Sequence, residues 1–179
     1  MVLGAEFSGQ GLKKVLAANR TAIRQLRRRG IGAAAGSAAL LLGALGFQYL
    51  GGLAPCDLCI LQRWPHVLAV LLGLSLLVLP SRVTAALGAL TLLVGAGIAA
   101  YHVGVEQGWW QGPATCTTPD PGAIAPGDLL NQILQTPVVL CDQVAWSLFG
   151  VSMAGWNAVL SLVLAALWMR AYASSSASQ

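Results

Sequence analysis

Charge is what this sequence has least of. Only 9% of its 179 residues are Asp, Glu, Lys or Arg, where a soluble domain carries about a quarter. Hydrophobic residues make up 56%, and the mean hydropathy is +0.71. So little polar surface excludes a water-soluble globule. It predicts an all-α membrane protein, one domain whose core is helix against helix within lipid. Acids are scarcer than bases, six against ten, leaving a net charge of +4. A basic excess can mark a nucleic-acid partner, but these bases are not distributed for one. Lys13, Lys14, Arg20, Arg24, Arg27, Arg28 and Arg29 precede the first apolar run, Arg82 sits in a short turn and Arg170 follows the last run. Only Arg63 lies elsewhere. The expected surroundings are a lipid bilayer, with no nucleic acid.

The chain divides by composition. Residues 1–30 form a basic arm, with Leu12, Leu16, Ile23 and Leu26 spaced like one helical face. Spans are expected at about 31–50, 58–79, 83–103 and 144–169, each long enough to cross at about 1.5 Å per residue. Proline before Cys56 argues against lipoprotein-type cleavage, so the first span is a retained anchor. Gly32 and Gly36, and Gly88, Gly95 and Gly97, are expected where helices pack closely. Pro80-Ser81-Arg82 is too short a turn for anything but antiparallel neighbours. Residues 104–143 are a long polar loop, in which Asp128 can cap a short surface helix carrying Leu129, Leu130, Ile133 and Leu134. Trp146 and Trp168 are expected as interfacial anchors of the fourth span. Residues 171–179 are a small, polar tail expected to be disordered.

Cysteine is also sparse, and its placement is informative. Cys56 and Cys59 form a Cys-x-x-Cys pair, with Arg63 four residues on. Two thiols at this spacing can close a disulfide and exchange it with other thiols. On a helix Arg63 would share a face with Cys59, and its charge would favour a thiolate. Cys116 and Cys141 bring the total to four, which permits three pairings. Four thiolates also suit zinc, but structural sites offer two tight pairs, whereas 24 residues separate Cys116 from Cys141, so no metal is expected. Two inert disulfides are a further alternative, although a pair beside an arginine at a membrane edge is an odd place for a staple.

Pro55-Cys56-x-Leu58-Cys59-x-x-Gln62-Arg63 resembles the signature of the disulfide bond formation protein B family, bacterial membrane enzymes that reoxidise the periplasmic thiol oxidase. Tyr101-His102-x-Gly104-x-Glu106-x-Gly108-Trp109-Trp110 before Cys116 is similar to a later family segment. So is Trp146-Ser147-Leu148-Phe149-Gly150-x-Ser152-Met153-Ala154-x-Trp156-Asn157 after Cys141. The resemblance covers about residues 31–170; the length of the basic arm departs from it. It implies a relay in which a reduced DsbA-like oxidase attacks a Cys116/Cys141 disulfide at Cys116. Electrons then pass to Cys56/Cys59 through a transient Cys56–Cys141 bridge, and Cys59 delivers them to ubiquinone or menaquinone. Arg63 would stabilise the thiolate and the charge developing on the quinone. His102 and Met153 would face the quinone, with Trp156 in the pocket wall. Asn157 is expected to bond across to another helix, and His66 has no assigned role. Two rivals are a vitamin K epoxide reductase-like quinone reductase, which a fused thioredoxin-like domain or an extra span would mark, and a non-catalytic metal-handling membrane protein.

Four spans put both termini on one side, and nine of the ten bases lie there too, which makes that side the cytoplasm. The Cys56/Cys59 connection and the long loop then face outward, into the periplasm of a bacterial inner membrane, where disulfides persist. Reporters fused after Pro80 or Gln179 should therefore read cytoplasmic, and fusions near Thr118 periplasmic. A periplasmic signal from the tail would reverse the orientation.

Overall fold

The computed structural model describes residues 9–113, 116 and 139–174. In chain order come α1 (Gly9–Tyr49), α2 (Asp57–Leu61), α3 (Arg63–Val78) and α4 (Arg82–Glu106). A hairpin of β1 (Ser147–Leu148) and β2 (Val151–Ser152) follows, and α5 (Met153–Ser174) is last. Four stretches are long and apolar enough to cross a bilayer, α2 and α3 together forming one. They make a four-helix bundle in which α1 and α4 each pack on both α3 and α5. Hydrocarbon offers a peptide group no partner except another peptide group, so each span is helical almost from end to end.

The bundle interior is built from small residues. Ala33 and Ala34 of α1, Ala69 of α3, Ala85 and Ala89 of α4 and Ala165 and Ala171 of α5 are buried together with Leu76, Leu92 and Trp168. Large residues such as Leu42, Leu71, Leu74 and Leu90 are exposed on the outside, where lipid tails are as apolar as they are. A Cβ on Gly88 would overlap the Trp168 indole, and one on Gly36 would press on Leu164. Gly95 sits against Pro65, whereas Gly32 and Gly97 have open space where a side chain would stand. The close-packing expectation therefore holds at Gly36, Gly88 and Gly95, and fails at Gly32 and Gly97.

Several elements differ from the sequence reading. Residues 9–30 of the basic arm form about six turns of α1, which runs 41 residues without a break. Ala22 and Leu26 of this stretch are buried. Two of its five arginines are also tied down: Arg27 donates to the Leu76 and Leu77 carbonyls at 3.0 and 3.1 Å, and Arg29 to the Arg170 carbonyl at 2.8 Å. Cations there satisfy helix-end carbonyls of α3 and α5 and complement their dipoles. Trp168 is no interfacial anchor. It is fully buried, because Gly88 and Gly30 leave a slot for its indole. The last helix starts at Met153 rather than near 144, since Phe149 (φ 53°) and Gly150 (φ 75°) form a two-residue hairpin turn with both central residues at positive φ,. It also continues to Ser174, so residues 171–174 are helical and not a disordered tail. The helix expected after Asp128, and residues 175–179, lie outside the described residues.

Gly88→Leu should collide with Trp168 and cost about 3 kcal/mol or more, as overpacking a filled interior does. Gly97→Leu, which meets nothing, should leave the thermal unfolding midpoint in detergent close to wild type. Equal midpoints for the two variants would show that Trp168 is not held in a tight slot.

Candidate functional site

The site forms where the second span begins. Pro55 favours an extended chain before Cys56, and Cys56 (φ −77°, ψ 170°) is the N-cap of α2, its sulfur accepting the Cys59 N–H at 3.2 Å. One turn of helix brings the two sulfurs to 2.6 Å. Hydrogen bonding with the Cys59 sulfur, and then burial, push the Cys56 thiol well up from its ordinary value, outweighing the pull of that backbone N–H. The helix breaks at Gln62, because Pro65 in the first turn of α3 has no N–H to give the Leu61 carbonyl,. Arg63 thus opens α3, and its guanidinium donates to Gln48 Oε1 of α1 at 2.7 Å.

The long loop returns its cysteines to this point. Cys116 and Cys141 form a disulfide, with Cα atoms 5.1 Å apart, and Cys141 N–H donates to the Cys116 carbonyl at 2.6 Å. Cys56 and Cys59 are free thiols. Cys56, Cys116, Cys141, Leu58 and Val105 form one buried cluster, and the sulfurs of Cys56, Cys116 and Cys141 all lie within 4.8 Å of one another. Both dithiols are therefore within exchange reach. The sulfurs of Cys56 and Cys59 and His102 Nε2 also lie within 4.8 Å of one another, a donor set that suits a soft metal. The same two sulfurs, 2.6 Å apart, can also close a disulfide and exchange it with other thiols.

His102 stands near the end of α4. Its Nε2 is 3.7 Å from Cys56 Sγ and 3.2 Å from the Cys141 carbonyl oxygen, and its Nδ1 is 2.7 Å from Gln62 Nε2. Below it, α4 closes with Gly108 at φ 69°. Gly108 N–H bonds the Val105 carbonyl and Trp109 N–H the Gly104 carbonyl, the paired pattern of a Schellman cap. The turn folds Trp110 back over Gly104, where a Cβ would overlap its ring, and Trp110 stacks on Tyr101 with centroids 5.9 Å apart. This accounts physically for the Tyr101-to-Trp110 pattern. Glu106, on the next turn after His102, accepts a hydrogen bond from the Ser152 hydroxyl, and its Oε1 is 4.0 Å from His102 Nε2.

An apolar cleft of about 310 Å³ opens beside the thiols. Phe47, Leu160, Met153 and Trp156 line it together with Cys56, Cys59, Arg63 and His102. All seven residues singled out from sequence thus meet at one place: four cysteines in two pairs, and Arg63, His102 and Met153 around the cleft. Sequence reasoning gave no site role to Gln48, Gln62, His66, Ser37 or Glu106, whose hydrogen bonds place them around these residues. The available signal was that each is a polar residue within or bordering an apolar run, where polar groups are expensive unless paired.

A family model described as Disulfide bond formation protein DsbB matches residues 27–171. The chain is 37% identical over 154 residues to Disulfide bond formation protein B of Verminephrobacter eiseniae, covering 74% of this chain and 80% of that protein. To Disulfide bond formation protein B 2 of Pseudomonas aeruginosa it is 35% identical over 144 residues, covering 74% of this chain and 85% of that one. An uncharacterized protein of Rickettsia prowazekii is 26% identical over 121 residues, 65% of this chain and 70% of its own. No solved structure matches the chain. A match that spans all four long helices and both cysteine pairs, with relatives above 30% identity, settles the family: the chain belongs to the DsbB family of disulfide bond formation proteins, oxidoreductases of the membrane.

Proposed function

We propose that the chain is a thiol:quinone oxidoreductase of the bacterial inner membrane, which reoxidises a periplasmic DsbA-like dithiol oxidase and so supports disulfide formation in other proteins. The observation that carries this reading is the meeting of Cys56, Cys116 and Cys141 sulfurs within 4.8 Å, with Cys59 at 2.6 Å from Cys56. Thiol–disulfide exchange needs a sulfur within reach of a disulfide, and Cys56 stands within reach of the loop disulfide,.

The relay balances as follows. A partner thiolate attacks Cys116; the partner–Cys116 bond forms, the Cys116–Cys141 bond breaks and Cys141 leaves as a thiolate. Cys141 attacks Cys56 of an oxidised Cys56–Cys59 pair, forming the Cys56–Cys141 bond and releasing Cys59 as a thiolate. The partner's second thiol displaces Cys116, completing the partner's disulfide. Cys116 then attacks Cys141, which restores the loop disulfide and releases Cys56. The pair Cys56/Cys59 now holds the two electrons taken from the partner.

The cleft fits a quinone, being apolar, placed among membrane-spanning helices and open at the sulfur pair. Arg63, His102 and Met153 are the residues that would hold the head group, ubiquinone and menaquinone being equally compatible with this lining. Bound there, a quinone would supply an acceptor for two electrons and two protons. Arg63, braced by Gln48 at 2.7 Å, provides a fixed positive charge with planar donors at the cleft wall. Burial around the thiols excludes water that would blunt this charge. With the sulfurs at the bilayer edge, the basic end of the bundle faces the cytoplasm and the loop faces the periplasm.

The direct assay is quinone reduction by purified protein supplied with a reduced periplasmic dithiol oxidase, and no turnover with any quinone would reject the reading. Cys141→Ser should trap the partner on Cys116 as a stable mixed disulfide, while Cys116→Ser should abolish trapping. Wild-type partner oxidation by the double variant lacking both loop cysteines would rule out a two-pair relay. Arg63→Leu should lower turnover on the order of 100-fold, comparable to losing one preorganised donor, and Arg63→Lys should fall in between. Mixed-disulfide formation should stay near normal in both. Unchanged kinetics of Arg63→Leu over a range of quinone concentrations would reduce the arginine to an interfacial anchor.

A further inference from the structure

A line of buried and half-buried hydrogen bonds crosses the bundle and ends at the thiols, and its inner members have no part in the relay. Ser37 Oγ of α1 is 3.3 Å from His66 Nδ1, and His66 Nε2 is 2.9 Å from Asn157 Oδ1 of α5. Asn157 Nδ2 donates to Gln62 Oε1 at 2.7 Å. Gln62 Nε2 then meets His102 Nδ1 at 2.7 Å, and His102 Nε2 faces the Cys141 carbonyl and the Cys56 sulfur. Ser37, Gln62, His66 and His102 are all buried.

Chemistry sets the direction of each bond. Gln62 Nε2 also donates to the Leu58 carbonyl at 3.2 Å. Turning the amide over would press its oxygen against that carbonyl, so the NH2 group faces His102. An NH2 group only donates; His102 Nδ1 therefore accepts, and the ring proton sits on Nε2. Upstream, Gln62 Oε1 requires the NH2 of Asn157, which turns the Asn157 oxygen toward His66. His66 Nε2 donates to it, and Ser37 donates to His66 Nδ1. All five bonds run the same way, toward Cys56 and Cys141, an arrangement in which each polarises the next.

We propose that Gln62, held by the Asn157–His66–Ser37 line, is a positioning residue that fixes His102 in its Nε2–H tautomer, so that this N–H donates to the sulfur of Cys56 when it leaves as a thiolate. The thiolate's role rests on the relay proposed above; the tautomer does not. In that step the Cys116–Cys141 bond forms, the Cys56–Cys141 bond breaks and the electron pair stays on Cys56. The leaving sulfur is buried beside a second sulfur, which disfavours its ionisation, and a donor already aimed at it offsets that cost. The opposite tautomer would turn a lone pair toward both the sulfur and the Cys141 carbonyl.

The chain has two histidines, so full-length protein labelled with 15N-histidine, purified in detergent, gives two ring patterns that His66→Gln distinguishes. Wild-type His102 should show a protonated Nε2 and an acceptor Nδ1. Gln62→Leu should give a mixture of tautomers and slow the release of Cys56 from the Cys56–Cys141 bridge about tenfold, as losing an outer-shell partner does. Should Gln62→Leu fail to fold, Asn157→Leu, which removes the donor from Gln62 Oε1, should move the His102 pattern the same way by a smaller amount. A protonated Nδ1 in the wild type, or a His102 pattern unmoved by either variant, would overturn the assignment. Because the spectrum is read without turnover, tautomers that shift as expected in a chain that reduces no quinone would sink the relay and leave the assignment of the ring standing.

Discussion

The interior of a bilayer gives a peptide group nothing to bond with except another peptide group, and the architecture follows from that constraint. Each crossing is helical, and irregular backbone is confined to places where side chains or other backbone can satisfy it. The breaks that matter are at the same end of the bundle. Gln62 separates α2 from α3, Gly108 closes α4, and the Phe149–Gly150 turn precedes α5. The two dithiols, the arginine and the apolar cleft lie among these breaks. At the opposite end, Arg27 and Arg29 donate to carbonyls near the C-terminal ends of α3 and α5.

Lipid also changes what holds the helices together. Exposed leucines gain nothing by leaving hydrocarbon for a protein interior, so the bundle is held by close approach of small residues and by polar side chains that find one another. Trp168 in its glycine slot is the first kind of contact. The Ser37–His66–Asn157–Gln62–His102 line is the second, joining four helices through side chains. A buried polar line is costly unless every member is satisfied, and here the last donor ends on the sulfur chemistry. Packing between helices and the surroundings of the thiols thus share residues.

Much of this was legible in the residues. Hydropathy alone predicts four crossings, because twenty apolar residues in a row have no other stable arrangement in a cell. The paired cysteines and their neighbours carry the family pattern over most of the chain. The ends of elements were less legible. A basic stretch such as residues 9–30 reads as solvated, and only contact with α3 and α5 reveals that Arg27 and Arg29 are engaged. A tryptophan near a span end reads as an anchor, and only the facing glycines show a slot. The start of α5 depends on a turn at Phe149 and Gly150 whose backbone angles composition does not report.

The sequence by itself determined the class of molecule and the number of spans, because these rest on composition and local patterning along one chain, and its resemblance to a family implied the sulfur chemistry. Tertiary structure decided which sulfurs meet, since Cys116 and Cys141 reach Cys56 only through the return of a long loop. It also decided that Gln62, His66 and Asn157, which are 4 to 95 residues apart, form a single hydrogen-bonded line. Hydrogen-bond direction depends on which atoms face one another across helices, and no one-dimensional pattern of residue types carries that information.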